Sequence, residues 1–258
     1  MRSFLIGLQF LTRISIVRQE NWTEEDFGKS VRWFPLIGAV LGLCYGTAAA
    51  CMFLLLPTFG IELPVHVSTA LLLLLTILLT GGLFCDGFMD SMDGIFSGRS
   101  RDRMLEIMKD SRIGANGVMA FTGLMLMEWA VLLDMGKEVL PMALFVMPII
   151  SRLMVVMAIT CFPYARPQGM GRAFATYAGK GSLAFAAICT LVLVLPWGKE
   201  AAAALLAGGL FALCFNRYAT RILGGVTGDT YGAVATLTEL VVLLTVFFME
   251  KIPWPMIP

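Results

Sequence analysis

Long apolar stretches alternate with short polar segments along most of the chain. A helix that crosses the hydrocarbon core of a bilayer needs about 20 apolar residues, and seven stretches approach that length. They predict an all-α polytopic membrane bundle of about seven transmembrane helices in a single domain, residues 1–258. The stretches lie at positions 34–56, 65–84, 118–133, 139–161, 183–197, 201–215 and 233–249. The two short ones near Pro196 form a candidate tight hairpin.

The first residues predict a helix of a different kind. At about 100° per residue, Phe4, Leu8 and Leu11 share one face, whereas Gln9 and Arg13 lie on the opposite face. This pattern is typical of an amphipathic helix at the membrane surface, and a first packed helix of the bundle explains it equally well. Because polar residues interrupt the apolar run and no small-residue cleavage site follows, we do not expect a secretory signal.

Composition agrees with a membrane protein. Hydrophobic residues make up 58% of the 258 positions and charged residues 14%, and the mean hydropathy is +0.82. A net charge of +1 gives no strongly basic surface, so we expect no nucleic-acid partner. The six cysteines are scattered singly beside one histidine, a pattern that favours neither a disulfide framework nor a zinc site.

The placement of cations predicts the orientation. Fifteen lysines and arginines fall in segments on one side of the predicted spans, against three on the other, so the N-terminus is expected in the cytoplasm and the C-terminus outside. The fifteen are Arg2, Arg13, Arg18, Lys29, Arg32, Arg99, Arg101, Arg103, Lys109, Arg112, Arg166, Arg172, Lys180, Arg217 and Arg221.

The strongest chemical signal is a carboxylate cluster where the second span leaves the membrane. Asp86, Asp90 and Asp93 fall within an arc of roughly 60° on one helix, and Glu106 and Asp110 repeat the four-residue spacing on a short cytoplasmic helix. Carboxylates about 6 Å apart repel by roughly 3 kcal/mol, so such a cluster needs cations. Hard oxygen ligands indicate Mg²⁺, and a solvated acidic surface is the alternative. Glycine and large apolar neighbours favour the metal site.

Mg²⁺ held by carboxylates at a membrane surface typically serves diphosphate substrates, which predicts a phosphotransferase. Basic and glycine-rich segments nearby supply candidate phosphate ligands. Each has a simpler interpretation as a topology signal, a connector, or a turn capped by Asp229 or Thr230. The candidates are Arg99, Arg112, Arg166, Arg221, Thr227 and Asp229.

Several residues inside the predicted spans leave alternatives open. Charged Glu128, Arg152 and Glu239 either line a polar pocket or pair with one another for packing. A row of small residues pairs helices within one chain or between two, so a homo-oligomer is possible. This row consists of Gly38, Gly42 and Gly46.

These residues resemble the cobalamin synthase family, the adenosylcobinamide-GDP ribazoletransferases of late vitamin B12 synthesis. The resemblance covers most of the chain, and the block from Asp86 to Gly114 is its most specific part. It implies transfer of adenosylcobinamide phosphate from adenosylcobinamide-GDP to α-ribazole or its 5′-phosphate, with release of GMP. It also implies Mg²⁺ as cofactor and the cytoplasmic membrane of a bacterium or archaeon as location. The other segments that carry it are Phe10 to Arg13, Phe34 to Gly38, Thr227 to Thr230, and Glu239.

The same block is similar to the carboxylate signature of CDP-alcohol phosphotransferases, although Ser97-Gly98-Arg99 stands where that signature has Ala-Arg. By this resemblance, Asp110 accepts the proton of the attacking hydroxyl, with Arg112 and Arg99 assisting. The implied metal ligands are Asp86, Asp90, Asp93 and Glu106. The loops near Arg166 and Asp229 would roof a wide cavity for the corrinoid.

Rival functions remain at this point. One is a CDP-alcohol phosphatidyltransferase that acts on lipid, and another is an intramembrane prenyltransferase of the aspartate-rich type. A carboxylate-lined transporter would carry its acids at mid-membrane, whereas these acids cluster at one end of the spans. A structural scaffold would not explain five acids on helical faces.

Overall fold

A computed structural model describes residues 2–17 and 22–252, apart from the side chain of Met170. Arg18, one of the predicted cytoplasmic cations, lies outside the described residues. No β-strand occurs in these ranges, which confirms the all-α fold class. The helices are α1 Arg2–Leu11, α2 Glu24–Ser30, α3 Phe34–Ala50, α4 Leu56–Thr58, α5 Val65–Thr80, α6 Leu83–Ile95, α7 Arg101–Ile107, α8 Ala115–Asp134, α9 Leu140–Cys161, α10 Met170–Tyr177, α11 Ser182–Val194, α12 Lys199–Leu223 and α13 Gly228–Lys251.

The helices confirm a multi-pass membrane protein, and the predicted span 65–84 is broken after Thr80. Five helices within the described ranges are long and apolar enough to cross a bilayer, when α2, α3 and α4 are taken together as one continuous helical segment. They are Glu24–Thr58, Ala115–Asp134, Leu140–Cys161, Lys199–Leu223 and Gly228–Lys251. Two bent pairs raise the number to as many as seven. One joins Val65–Thr80 to Leu83–Ile95 at 91°, and the other joins Gly171–Tyr177 to Ser182–Trp197 at 98°.

The two short stretches near Pro196 are joined by a tight turn at residues 195–198, as predicted, but the second helix is longer than its apolar run indicates. The short stretch 201–215 belongs to the 25-residue helix α12, which packs along α13 and α9. By contrast, α11 packs against α9 and α3. Polar residues such as Asn216 and Arg217 end the apolar run without ending the helix, because the surrounding alanines and leucines have high helix propensity.

Helix α1 is a packed helix of the bundle, which decides between the two interpretations of its pattern. Ile6, Leu8 and Leu11 are buried, and the helix contacts α2 and α3. The indole N–H of Trp33 donates to the Ser3 hydroxyl over 3.1 Å, which joins α1 to the segment before α3.

Helix α9 forms the centre of the bundle and contacts α3, α11, α12 and α13. The small residues of α3 face it: a Cβ on Gly38 would lie 2.5 Å from the carbonyl oxygen of Pro148, and one on Gly46 would lie 2.8 Å from that of Pro141. The glycine row therefore serves packing within the chain. A homo-oligomer stays a prediction that this row does not support.

The charged residues inside the bundle are paired or face a small cavity. Arg152 forms an ion pair with Glu239, and the Ser151 hydroxyl donates to Glu239 Oε1 over 3.0 Å. Glu128 is only 5% exposed and lines, with Arg152 and Glu239, a cavity of about 20 Å³. That volume accommodates one water molecule. Both predicted alternatives thus occur, because Arg152 and Glu239 pair while Glu128 faces a polar cavity.

We predict that Gly38→Ala lowers the thermal unfolding midpoint of the detergent-purified protein, because the added Cβ meets backbone of α9. Overpacking of this kind costs about 1–3 kcal/mol. Gly209→Ala is the matched control, since a Cβ there meets nothing within 4 Å. Size-exclusion chromatography with fluorescence detection after heating measures both variants. Equal midpoints for the two would contradict the assigned helix contact.

Candidate active site

A double glycine turns the aspartate-bearing helix out of line with the span before it. Gly81 and Gly82 adopt φ values of 64° and 72°, a left-handed conformation that favours glycine. Helix α6 consequently packs across the first turns of α8 and α13. A Cβ on Gly87 would lie 2.9 Å from the carbonyl oxygen of Asp229, and one on Gly232 would lie 2.9 Å from that of Phe84. Glycine at both positions therefore permits the close crossing of α6 and α13.

The three predicted aspartates lie on one helix, as expected, but have different surroundings. Asp93 is buried and caps α8, since its carboxylate accepts hydrogen bonds from the backbone N–H of Gly114 at 2.7 Å and of Gly117 at 2.8 Å. Asp86 is exposed to a cavity. Asp90 lies between them and experiences the negative charges of Asp86, Asp93 and Asp229, which Arg166 opposes.

The two glycine-rich loops meet at the same place. The N–H of Ala165 donates to the Val226 carbonyl, and the N–H of Val226 donates to the Pro163 carbonyl, each over 2.8 Å. These two backbone hydrogen bonds join the loop before α10 to the loop before α13. Thr227 is the N-cap of α13, and its hydroxyl accepts from Thr230 N–H. The predicted caps, Asp229 and Thr230, instead occupy the first turn of the helix.

An ion pair joins the two loops beside the aspartates. Arg166 Nη2 lies 2.7 Å from Asp229 Oδ2, and the two side chains are 10% and 20% exposed. The Nε atom of Arg166 is buried and has no hydrogen-bond partner among the described residues. The pair therefore leaves an unused donor at the site.

A cavity of about 280 Å³ opens between these elements. Asp86, Arg166 and Asp229 line one part of it, together with Tyr164 and Tyr231. Burial raises the pKa of the Tyr164 hydroxyl, although the positive charge of Arg166 partly offsets that effect. The rest of the wall is mainly apolar and includes Phe10, Phe34, Phe84 and Phe174.

Other predicted site residues lie outside this cavity. Glu106 pairs with Arg103 at 2.8 Å on an exposed face, and Asp110 pairs with Arg112 at 2.8 Å. Thr227 is buried in the cap, while two further predicted phosphate ligands are exposed and do not line the cavity. These two are Arg99 and Arg221.

The prediction that Glu106 and Asp110 share a helix is wrong. Helix α7 ends at Ile107, and Asp110 Oδ1 accepts from the backbone N–H of Arg112 over 3.0 Å, a local bond that competes with helix continuation. Hydrogen bonds from Arg112 lower the pKa of Asp110 to about 2. Because this pKa is lowered, the contact stabilises the loop above pH 4 and is lost only as the pH falls towards 2.

Metal binding by the predicted carboxylates remains a prediction. Within residues 2–17 and 22–252, no group of three or more histidine, cysteine, aspartate or glutamate side chains is arranged to hold a metal ion. Ligation through Asp93 or Glu106 would replace the hydrogen bonds and the ion pair that each now makes.

Sequence reasoning offered Arg101 as a topology cation or a phosphate ligand and missed its contacts with the two loops. Its Nε donates to the Leu223 carbonyl over 2.7 Å and its Nη2 to the Ala165 carbonyl over 3.4 Å, so one side chain ties α7 to both loops. It also missed the cavity-lining aromatic residues, because a phenylalanine in an apolar helix has the pattern of ordinary core.

We predict that Arg101→Ala increases cleavage of residues 97–114 in limited proteolysis, because α7 loses its attachment to the loops. Hydrogen bonds to a charged group contribute about 1.5–3 kcal/mol when buried, and this partly exposed one contributes less. Arg103→Ala is the control, since Arg103 makes a surface pair with Glu106. The same cleavage rate in both variants would contradict the role of Arg101.

Comparison with known proteins identifies the family. The family model for cobalamin-5-phosphate synthase matches residues 3–247. An adenosylcobinamide-GDP ribazoletransferase of Desulfitobacterium hafniense strain Y51 is 40% identical over 96% of this chain and 97% of its own length. The protein of that name from Clostridium acetobutylicum is 34% identical over 95% and 96%. No solved structure matches the chain significantly. The chain therefore belongs to the cobalamin-5-phosphate synthase family.

Proposed function

We propose that this protein is an adenosylcobinamide-GDP ribazoletransferase. It transfers adenosylcobinamide phosphate to a ribose hydroxyl of α-ribazole, or of α-ribazole 5′-phosphate, and releases GMP. The names of its relatives support this activity. The structural observation that carries it is the convergence of Asp86, Arg166 and Asp229 on one cavity at the first turn of α13.

This convergence suits a diphosphate. A helix N-terminus offers backbone N–H groups and a positive dipole end to phosphate oxygens. The free Nε of Arg166 adds a charged donor that the protein itself leaves unused. The three aspartates around Asp90 carry more negative charge than Arg166 offsets, so the site favours a bound cation.

Mg²⁺ suits this donor set, because α6 and α13 each bring a carboxylate to the cavity, through Asp86 and Asp229, and no histidine or cysteine of the described residues lines it. Asp86 and Asp90 would hold it, with Asp93 and Glu106 as the further predicted ligands. When bound, Mg²⁺ offsets the charge of the diphosphate and of the departing phosphate oxygen.

The transfer forms one bond and breaks another. The ribose hydroxyl oxygen bonds to the phosphorus that carries adenosylcobinamide, and the bond from that phosphorus to the bridging oxygen breaks, so GMP leaves with the electron pair. Asp110 is the proposed proton acceptor. With its pKa near 2 it is a weak base while Arg112 holds it, and movement of Arg112 onto a phosphate would raise that pKa.

The proposed location is the cytoplasmic membrane of a bacterium or archaeon. The distribution of cations supports an orientation in which the N-terminus and this site face the cytoplasm. Membrane lipid surrounds the bundle in this proposal. The family match does not favour the lipid phosphatidyltransferase or the transporter.

We expect the detergent-purified protein to release GMP from adenosylcobinamide-GDP and α-ribazole in Mg²⁺, to stop after chelation, and to resume when Mg²⁺ is restored. Asp90→Asn should raise the Mg²⁺ concentration needed for half-maximal rate. A parallel sample with CDP-diacylglycerol and alcohols should give no product. An unchanged rate after chelation would overturn the metal proposal, and lipid product would overturn the substrate assignment.

We expect Asp110→Asn to lower kcat by about 10²–10⁴-fold, the usual contribution of a general base. Asp102→Asn is the control, because Asp102 is an exposed acid in the same segment. Single-turnover GMP release from protein with bound metal separates chemistry from binding. Full turnover by the Asp110 variant would show that another group accepts the proton.

A further inference from the structure

The cavity that holds the charged site has a second wall of different chemistry. The ring centroid of Phe174 lies 5.3 Å from that of Phe10 and 5.8 Å from that of Phe34. All three rings line the cavity, as does Phe84. These rings come from α1, α3, α6 and α10, so four separate elements build one aromatic wall. Phe10 and Phe34 begin two of the segments that carry the family resemblance, but the chain pattern does not indicate that the four rings share a wall.

The size of the cavity limits what enters it. At about 280 Å³ it lies just below the range of about 300–1,000 Å³ that holds drug-sized ligands. A nucleoside fits such a volume, whereas a corrinoid macrocycle with its side chains does not. The sequence-based expectation of a wide corrinoid cavity beneath the Arg166 and Asp229 loops is therefore not supported here. Of the groups in the reaction, a nucleoside, guanosine or α-ribazole, suits this space.

The wall chemistry distinguishes the two nucleosides. Guanine carries N–H donors and a carbonyl acceptor along one edge, and burying these groups against phenylalanine carbons without partners is costly. The base of α-ribazole is a benzimidazole with two methyl groups, and its ring has one nitrogen free to accept a hydrogen bond. An aromatic and aliphatic wall matches this base far better than it matches guanine.

The side of the cavity formed by α13 offers a polar group for that nitrogen. Tyr231 lines the cavity and is 4% exposed, and its hydroxyl has no hydrogen-bond partner among the described residues. A buried hydroxyl without a partner is costly unless a ligand or water supplies one. The Tyr231 O–H can donate to a ring nitrogen held against the aromatic wall.

We propose that this cavity is the α-ribazole subsite, an inference that rests on the proposed function. The rings of Phe10, Phe34 and Phe174 bind the benzimidazole, and Tyr231 donates to its free nitrogen. The ribose then points towards Asp86 and Asp229, where its hydroxyl meets the diphosphate. The adenosylcobinamide and guanosine groups of the other substrate then lie outside the cavity, on the far side of Asp86 and Asp229.

The test measures binding and kinetics of the full chain in detergent. Isothermal titration with α-ribazole alone should show binding to the wild type, weakened about tenfold by Phe174→Ala, in line with the usual effect of removing an aromatic ring from a base. Tyr231→Phe should weaken binding several-fold. The KM for α-ribazole should rise accordingly, while the KM for adenosylcobinamide-GDP stays within about twofold.

Phe185→Ala is the matched control, because Phe185 packs on Trp33 and does not line the cavity. The conservative Tyr231→Phe variant retains the ring, and its thermal midpoint verifies folding. A raised KM for adenosylcobinamide-GDP with unchanged α-ribazole binding would assign the cavity to guanosine and overturn the proposal. Unchanged values for both substrates in folded variants would overturn it as well. Absence of GMP release by the wild type would instead refute the proposed function.

Discussion

The arrangement of this protein depends on one crossing, at which α6 packs across the first turns of α8 and α13. Two left-handed glycines, Gly81 and Gly82, permit the 91° bend that turns α6 out of the direction of α5. Asp93 then supplies the acceptors that the first turn of α8 lacks, through Gly114 and Gly117 N–H. The other aspartates of α6 are left beside the start of α13, so one contact orients the whole carboxylate face.

The loops before α10 and α13 bring Arg166 and Asp229 to the aspartates of α6. Segments about 60 residues apart in the chain are joined by the backbone bridge between Tyr164 and Val226, and Arg101 ties α7 to the same bridge. The Arg166 and Asp229 pair follows from that bridge, because each residue stands a few positions beyond it. Opposite charges brought together in this way partly offset the repulsion among the aspartates.

Inside the bundle, the charge of Arg152 is balanced by an ion pair. The guanidinium of Arg152 pairs with Glu239 and lies 4.4 Å from the Phe84 ring centroid, while Phe84 also lines the larger cavity. A buried charge without such partners costs several kcal/mol, so these contacts make the charged residues compatible with an apolar interior. The same ring thus joins the packing of the membrane core to the wall of the site.

The sequence by itself determined the all-α membrane fold, most span positions, and the placement of Asp86, Asp90 and Asp93 on one helical face, because hydropathy and helical period are local properties. The family resemblance also rested on local motifs, above all the block from Asp86 to Gly114. Only the tertiary structure decided that α5 and α6 are bent apart, that Asp110 lies beyond α7, and that Asp93 caps α8. The aromatic wall around Phe174 and the role of Arg101 were likewise decided only by the tertiary structure. The end of α7 follows from a local hydrogen bond between Asp110 and Arg112. The Asp93 cap, the aromatic wall and the Arg101 contacts depend instead on residues far apart in the chain, which no local pattern encodes.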